Sequence, residues 1–120
     1  MKQLLLASLF TLAGFAAVAQ QKETRTAKPD PAKKLYTVEA ACGQCQLGLK
    51  GKGCSLAIRM DGKAYFVDGT NIDDHGDAHA DDGFCNKIRK ANVQGEVVDG
   101  RFKASYFELL TGEQKKQKTN

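Results

Sequence analysis

Tryptophan is absent from this chain of 120 residues, aromatics make up only 8% of it, and its two prolines, Pro29 and Pro31, lie together ahead of any strand-like pattern. It also contains no G-x-S-x-G, no H-E-x-x-H and no glycine-rich phosphate loop. These absences remove the hydrolase nucleophile elbow, the helical zinc-protease site and the nucleotide-phosphate cradle. A Cys–His nucleophile pair needs a free thiol, and three further cysteines nearby argue against one. The chain therefore reads as a non-enzymatic protein.

The formal charge of +4 invites a nucleic-acid reading that its distribution rejects. Residues 35–110 hold nine Lys and Arg against eleven Asp and Glu, a net of −2, so the basic excess lies in the tails. Phosphate tracking requires clustered cations on a folded face, with aromatic platforms for single strands. Nucleic-acid binding is excluded on these grounds.

Lys2 precedes a mostly apolar run over residues 4–18 that ends in Ala17-Val18-Ala19. The run is shorter than the roughly 20 residues of a membrane span. Its basic start and small-residue end are those of a secretory signal cleaved near Ala19. Gln20 rather than a cysteine stands directly after the cleavage point, which disfavours a lipid anchor, so the expected product is a periplasmic or secreted protein without stable membrane insertion. The expected organisation is a signal peptide over 1–19, a disordered polar leader over 20–34, a folded domain over 35–110 and a basic disordered tail over 111–120. A monomer is expected, and a domain of this size gains noticeably from a staple of metal or sulfur bridges.

Within the domain, residues 36–42 alternate weakly, with Val38, Ala40 and Cys42 on one face. Residues 55–60 and 63–68 flank Asp61-Gly62, and residues 93–98 and 101–109 flank Asp99-Gly100. Asp-Gly between alternating runs signals a two-residue hairpin turn, because a type I′ turn needs positive φ at both positions. A helix from Asp81 or Asp82 to about Lys90 is expected between the hairpins, with Phe84 and Ile88 on one face and cations in its last turn. The order β-β-β-α-β-β specifies a mostly β fold with one helix, a small OB-like five-stranded barrel. The alternative is an open antiparallel sheet with the helix packed on one face.

Four cysteines carry the chemistry. Cys42, Cys45 and Cys54 form C-x-x-C-x8-C in a glycine-rich stretch, and Cys85 follows shortly after His75 and His79. The C-x-x-C spacing lets two thiolates bite one ion, and a closed tetrahedral site then needs two more ligands, from Cys54 and Cys85 or from His75 and His79. Zn and Cu both suit such a set, since thiolates also select Cu(I). Two structural disulfides account for the same count without any ion. A redox-active pair is the third reading, disfavoured because Cys42-Gly43-Gln44-Cys45 follows a strand rather than opening a helix. The loop 71–82 places five carboxylates beside His75 and His79 with a partial EF-hand spacing, which reads either as a divalent-ion loop or as a solvated acidic loop with capping aspartates.

With Cys42-Gly43-Gln44-Cys45, Gly51-Lys52-Gly53-Cys54, Asp61-Gly62-Lys63, Asp74-His75 and Val93-Gln94-Gly95 in place, residues 38–110 resemble a family of small exported bacterial proteins of unknown function. They are also distantly similar to secreted OB-like domains. The resemblance implies the barrel and carries no activity. Metal binding or handling in the periplasm is the expected function. The alternatives are a disulfide-stapled structural or protein-interaction module that meets a protein partner, and a thiol-disulfide helper.

Overall fold

The computed structural model describes residues 28–111, so the expected signal peptide, most of the leader and the basic tail lie outside the described residues. Five strands form a closed barrel: β1 (Tyr36–Cys42), β2 (Leu56–Met60), β3 (Lys63–Asp68), β4 (Arg89–Val98) and β5 (Arg101–Leu109). Around the barrel they run β1-β2-β3-β5-β4, the small OB-like architecture expected from the strand pattern. β1 pairs antiparallel with β4 at its start and with β2 at its end, from Tyr36↔Val93 to Cys42↔Leu56. A short parallel contact between β3 and β5, Val67↔Phe102 and Asp68↔Lys103, closes the sheet and leaves no open edge between them.

Both hairpins turn where Asp-Gly stands. Asp61 and Gly62 have φ of 51° and 80°, and Asp99 and Gly100 have φ of 51° and 75°, as a type I′ turn requires. Alternation sends Val38, Ala40, Cys42, Leu56, Ile58, Val93 and Phe102 into the barrel, where Ile72, Ala78 and Phe84 from the β3–β4 connection join them. A second, smaller cluster of Ala41, Leu47 and Ala57, with Leu49, Ala64 and Phe66 against it, lies on the outer face of β1–β3. Tyr106 and Phe107 are buried, while Tyr36 and Tyr65 are half-buried against the core.

The helix expected over 81–90 does not form. The connection instead holds a single 3₁₀ turn, Ile72–His75, followed by a chain of tight turns. Tertiary partners take the groups a helix would use: the Cys85 N–H donates to the Ala78 carbonyl at 2.9 Å, and Arg89 and Lys90 ladder with Ala40 and Glu39 of β1. Gly83 packs so closely on the Asp77 and Ala78 carbonyls that any Cβ there would collide with them. One helical turn that the sequence reading did not foresee, α1 (Gly43–Gln46), follows β1 directly. Among the described residues no helix is long and apolar enough to cross a membrane.

The packed unit begins earlier than residue 35. Gln94, 1% exposed, accepts from the Asp30 N–H at 2.7 Å and donates to the Asp30 and Lys33 carbonyls at 2.8 and 2.9 Å. Its carboxamide thus fastens the end of the leader to β4 beside the Gln94/Gly95 bulge. Gln94→Ala is expected to destabilise the domain by about 1–3 kcal/mol by removing the three hydrogen bonds that its carboxamide makes to Asp30 and Lys33, read as a lower denaturation midpoint, and to open residues 30–33 to proteolysis. An unchanged midpoint with unchanged cleavage would contradict this role.

Candidate metal centre

The site is built where β1 ends. Cys42 is the last residue of that strand, 0% exposed, with its side chain turned inward beside Leu56 and Phe84. Beyond Ala40, β1 has left its partner β4, and the Cys42 N–H is taken up by the Phe84 carbonyl at 2.9 Å. That bond brings the neighbouring residue, Cys85, to the barrel mouth.

α1 carries Cys45 back over Cys42, whose Sγ caps the turn by accepting the Cys45 N–H at 3.4 Å. Gly43 makes the close turn possible, since a Cβ there would lie 2.7 Å from Phe66 and about 3 Å from Leu49 and Ala57. The loop after α1 returns through Gly53, at φ 81°, to Cys54, immediately before Ser55 and β2.

All four sulfurs converge. Cys54 Sγ lies 2.7 Å from Cys85, 3.1 Å from Cys42 and 3.5 Å from Cys45, and the four Sγ atoms lie within 4.8 Å of one another. All four are free thiols. Cys54 is common to the three short separations, so the set does not divide into two isolated pairs. Four thiolates around an ion with Zn–S near 2.3 Å stand about 3.8 Å apart at tetrahedral angles. The three separations from Cys54 are shorter than that spacing, and opening them by about 0.3 to 1.1 Å would reach it.

Two glutamines tie these segments together. Gln44 accepts from the Ser55 N–H at 3.0 Å and donates to Ser55 Oγ at 3.2 Å, joining the C-x-x-C turn to the segment that carries Cys54. Gln46 donates to the Cys85 carbonyl at 2.8 Å. The sequence reading missed both residues; their positions inside and just after C-x-x-C were the available signal, because outer-shell donors commonly flank a ligand pair.

The protons of the set are shared. Burial pushes the Cys42 thiol up, but hydrogen bonds from the Cys45 and Cys54 thiols and from the Cys45 N–H outweigh it and bring the group down to about 7. Donating to Cys42 and then to Cys54 raises Cys45 to about 11. Cys54 rises to about 12, chiefly through Cys85 and then Cys42, and burial pushes Cys85 up. Near neutral pH the four sulfurs thus hold one readily lost proton, and the others bridge them. A cation at the centre would take the place of those protons.

The histidines lie elsewhere. His75 Nε2 is 2.9 Å from Thr70 Oγ1, and its ring packs on Phe107 at 4.6 Å and edge-on to Phe84 at 6.1 Å between centroids. His79 is exposed, its backbone N–H bonded to Asp77. Neither imidazole belongs to the sulfur group, which is the one candidate ligand cluster among the described residues. The partial EF-hand spacing in 71–82 does not gather its carboxylates: Asp74 caps the 3₁₀ turn by accepting from the Asn71 N–H and Thr70 Oγ1, and Asp77 closes a local turn with His79.

Residues 36–110 match the model of a family of unknown function, DUF6370, and the chain belongs to that family. No curated protein and no solved structure matches it.

The shared protons give a pH signature. In the ion-free protein, thiolate absorbance should rise in a first step near pH 7 that is removed in Cys42→Ser, with the other three thiols ionising only above the ordinary thiol range, Cys45 at about 11. Because the Cys42 thiol is lowered from 9.0 on folding, its contribution to stability is complete above pH 9 and is lost as pH falls through 7. A titration in which all four thiols ionise together near 9 would contradict this arrangement.

Proposed function

We propose that this member of DUF6370 is a non-enzymatic metal-binding protein of the exported compartment, whose Cys42, Cys45, Cys54 and Cys85 together hold one soft cation, Zn²⁺ or Cu(I). The observation that carries the reading is the convergence of four free sulfurs on one centre, with Cys54 common to the three short separations. An all-sulfur, tetrahedral donor set is the kind that Zn²⁺ and Cu(I) occupy and that hard oxygen-seeking ions avoid. Export is supported by Lys2, the apolar run over 4–18 and Ala17-Val18-Ala19. In such a compartment exposed thiols oxidise unless an ion protects them.

One observation favours a second reading. The 2.7 Å contact of Cys54 with Cys85 is closer than two thiols pack, as suits a pair on the way to a bridge. A domain stapled by that bridge would then present its loops to a protein partner.

Native and denaturing mass spectrometry of the exported protein, with and without alkylation, separates the two. The expected result is one ion per chain that is lost on denaturation and leaves four alkylatable thiols. Cys54→Ser is expected to weaken binding by more than the roughly 10- to 100-fold of an outer-shell change. A mass lowered by bridge formation, with no ion and no alkylation of Cys54 or Cys85, would establish the stapled module instead.

A further inference from the structure

Resting on the metal reading above, the geometry points to a division of labour among the four sulfurs: Cys42, Cys54 and Cys85 form a fixed platform, and Cys45 is the exchangeable ligand through which the cation is handed to a thiol of a second molecule.

The three platform residues are tied down by backbone hydrogen bonds made at them or at their neighbours. Cys42 is laddered to Leu56, with its N–H on the Phe84 carbonyl. Cys54 adjoins Ser55, whose N–H is bound by Gln44 and whose carbonyl accepts the Gly43 N–H at 2.8 Å. Cys85 donates its N–H to Ala78 and accepts at its carbonyl from Gln46. Cys45 rides instead on a helical turn of four residues. It is the exposed member of the set, and it lies farther from Cys54, at 3.5 Å, than Cys85 and Cys42 do at 2.7 and 3.1 Å.

The surroundings of Cys45 allow approach. Gly48, Gly51 and Gly53 of the following loop are exposed and carry no side chain to cover it, and Lys50 and Lys52 between them are exposed cations. The loop passes beside Gln44, since the Gln44 amide reaches toward the Lys52 carbonyl at 3.5 Å. A thiolate arriving there meets positive charge and little bulk.

The exchange is balanced without any oxidant. The sulfur of the incoming thiol forms a bond to the ion as the bond from Cys45 Sγ breaks, and Cys45 leaves as thiolate and takes up the proton that the incoming thiol surrendered. No electrons are transferred. The acceptor is a molecule presenting an accessible thiol, and ions bound this way leave faster as acceptor concentration rises.

The test uses the full chain loaded with one Zn²⁺. Brief treatment with iodoacetamide and peptide mapping should modify Cys45 about tenfold or more faster than the other three, because in the loaded chain all four are ion-bound thiolates and access then decides the rate. Zn²⁺ loss should rise in proportion to added free cysteine. Cys45→Ser should weaken Zn²⁺ binding at least about tenfold less than Cys54→Ser. Modification of Cys54 or Cys85 at the rate of Cys45, Zn²⁺ loss that ignores free cysteine, or equal weakening in the two variants would each overturn the inference while leaving the metal reading intact. Labelling of the unmutated chain decides the matter even where Cys54→Ser fails to fold. A chain that takes up no Zn²⁺ overturns this inference, and one that takes up neither Zn²⁺ nor Cu(I) overturns the metal reading with it.

Discussion

The hydrogen bond from the Cys42 N–H to the Phe84 carbonyl is the contact on which the site depends. β1 ladders with β4 only as far as Ala40↔Arg89, so the next donor on that edge needs another partner. Phe84 supplies it, and its ring fills the barrel end beside Cys42. One backbone bond therefore satisfies a strand edge, seats a core aromatic and sets Cys85 beside Cys54. A sheet that continued β1–β4 pairing for two more residues would carry Cys85 away along β4.

The same geometry governs how charge is distributed among the four sulfurs. Four like-charged thiolates this close would repel strongly at low dielectric. The set avoids that by keeping protons between sulfurs, with Cys42 the group that gives one up most readily. The interior position of Cys42 would by itself favour the neutral thiol, and the donors around it reverse the balance. The lowered value owes more to neighbouring thiols than to helix polarity, since α1 is a single turn. Contrary to the expectation that weighed against a redox pair, C-x-x-C does open a helical turn, yet the acidity of Cys42 comes from the thiols and the N–H around it.

The strand framework was legible because its signals are local. Alternation over 36–42, 55–60 and 101–109 and the two Asp-Gly turns fix hairpins whatever surrounds them, and the closed five-strand order followed. Strand β4 was legible only in part, since Arg89 and Lys90 were assigned to the last turn of a helix. Their pairing with β1 is non-local, and Gly83 is committed to carbonyls that no sequence window reveals. The cysteines were legible as a ligand set, but the choice between Cys85 and the histidines was not. His75 looks like a ligand in sequence and is instead half-buried against Phe84 and Phe107, its ring nitrogen beside Thr70. Gln44 and Gln46 escaped notice because their role is fixed by where Ser55 and the Cys85 carbonyl arrive.

The core bears on whether an ion here would be a staple or a cargo. In small zinc modules that lack a core, the metal supplies the folding energy and its removal unfolds the chain. Here a continuous set of buried residues runs from Val38 through Ile58, Val93 and Phe102 to Phe107, closed by ladders on every side. Of the four sulfurs, only Cys42 belongs fully to that interior; Cys54 and Cys85 pack at its margin and Cys45 is exposed. The barrel's apolar burial is therefore nearly independent of what occupies the mouth, and loss of an ion would expose little additional core. A core that does not depend on an ion would let one bind and leave without unfolding, which is the physical requirement for handling an ion rather than being held together by one.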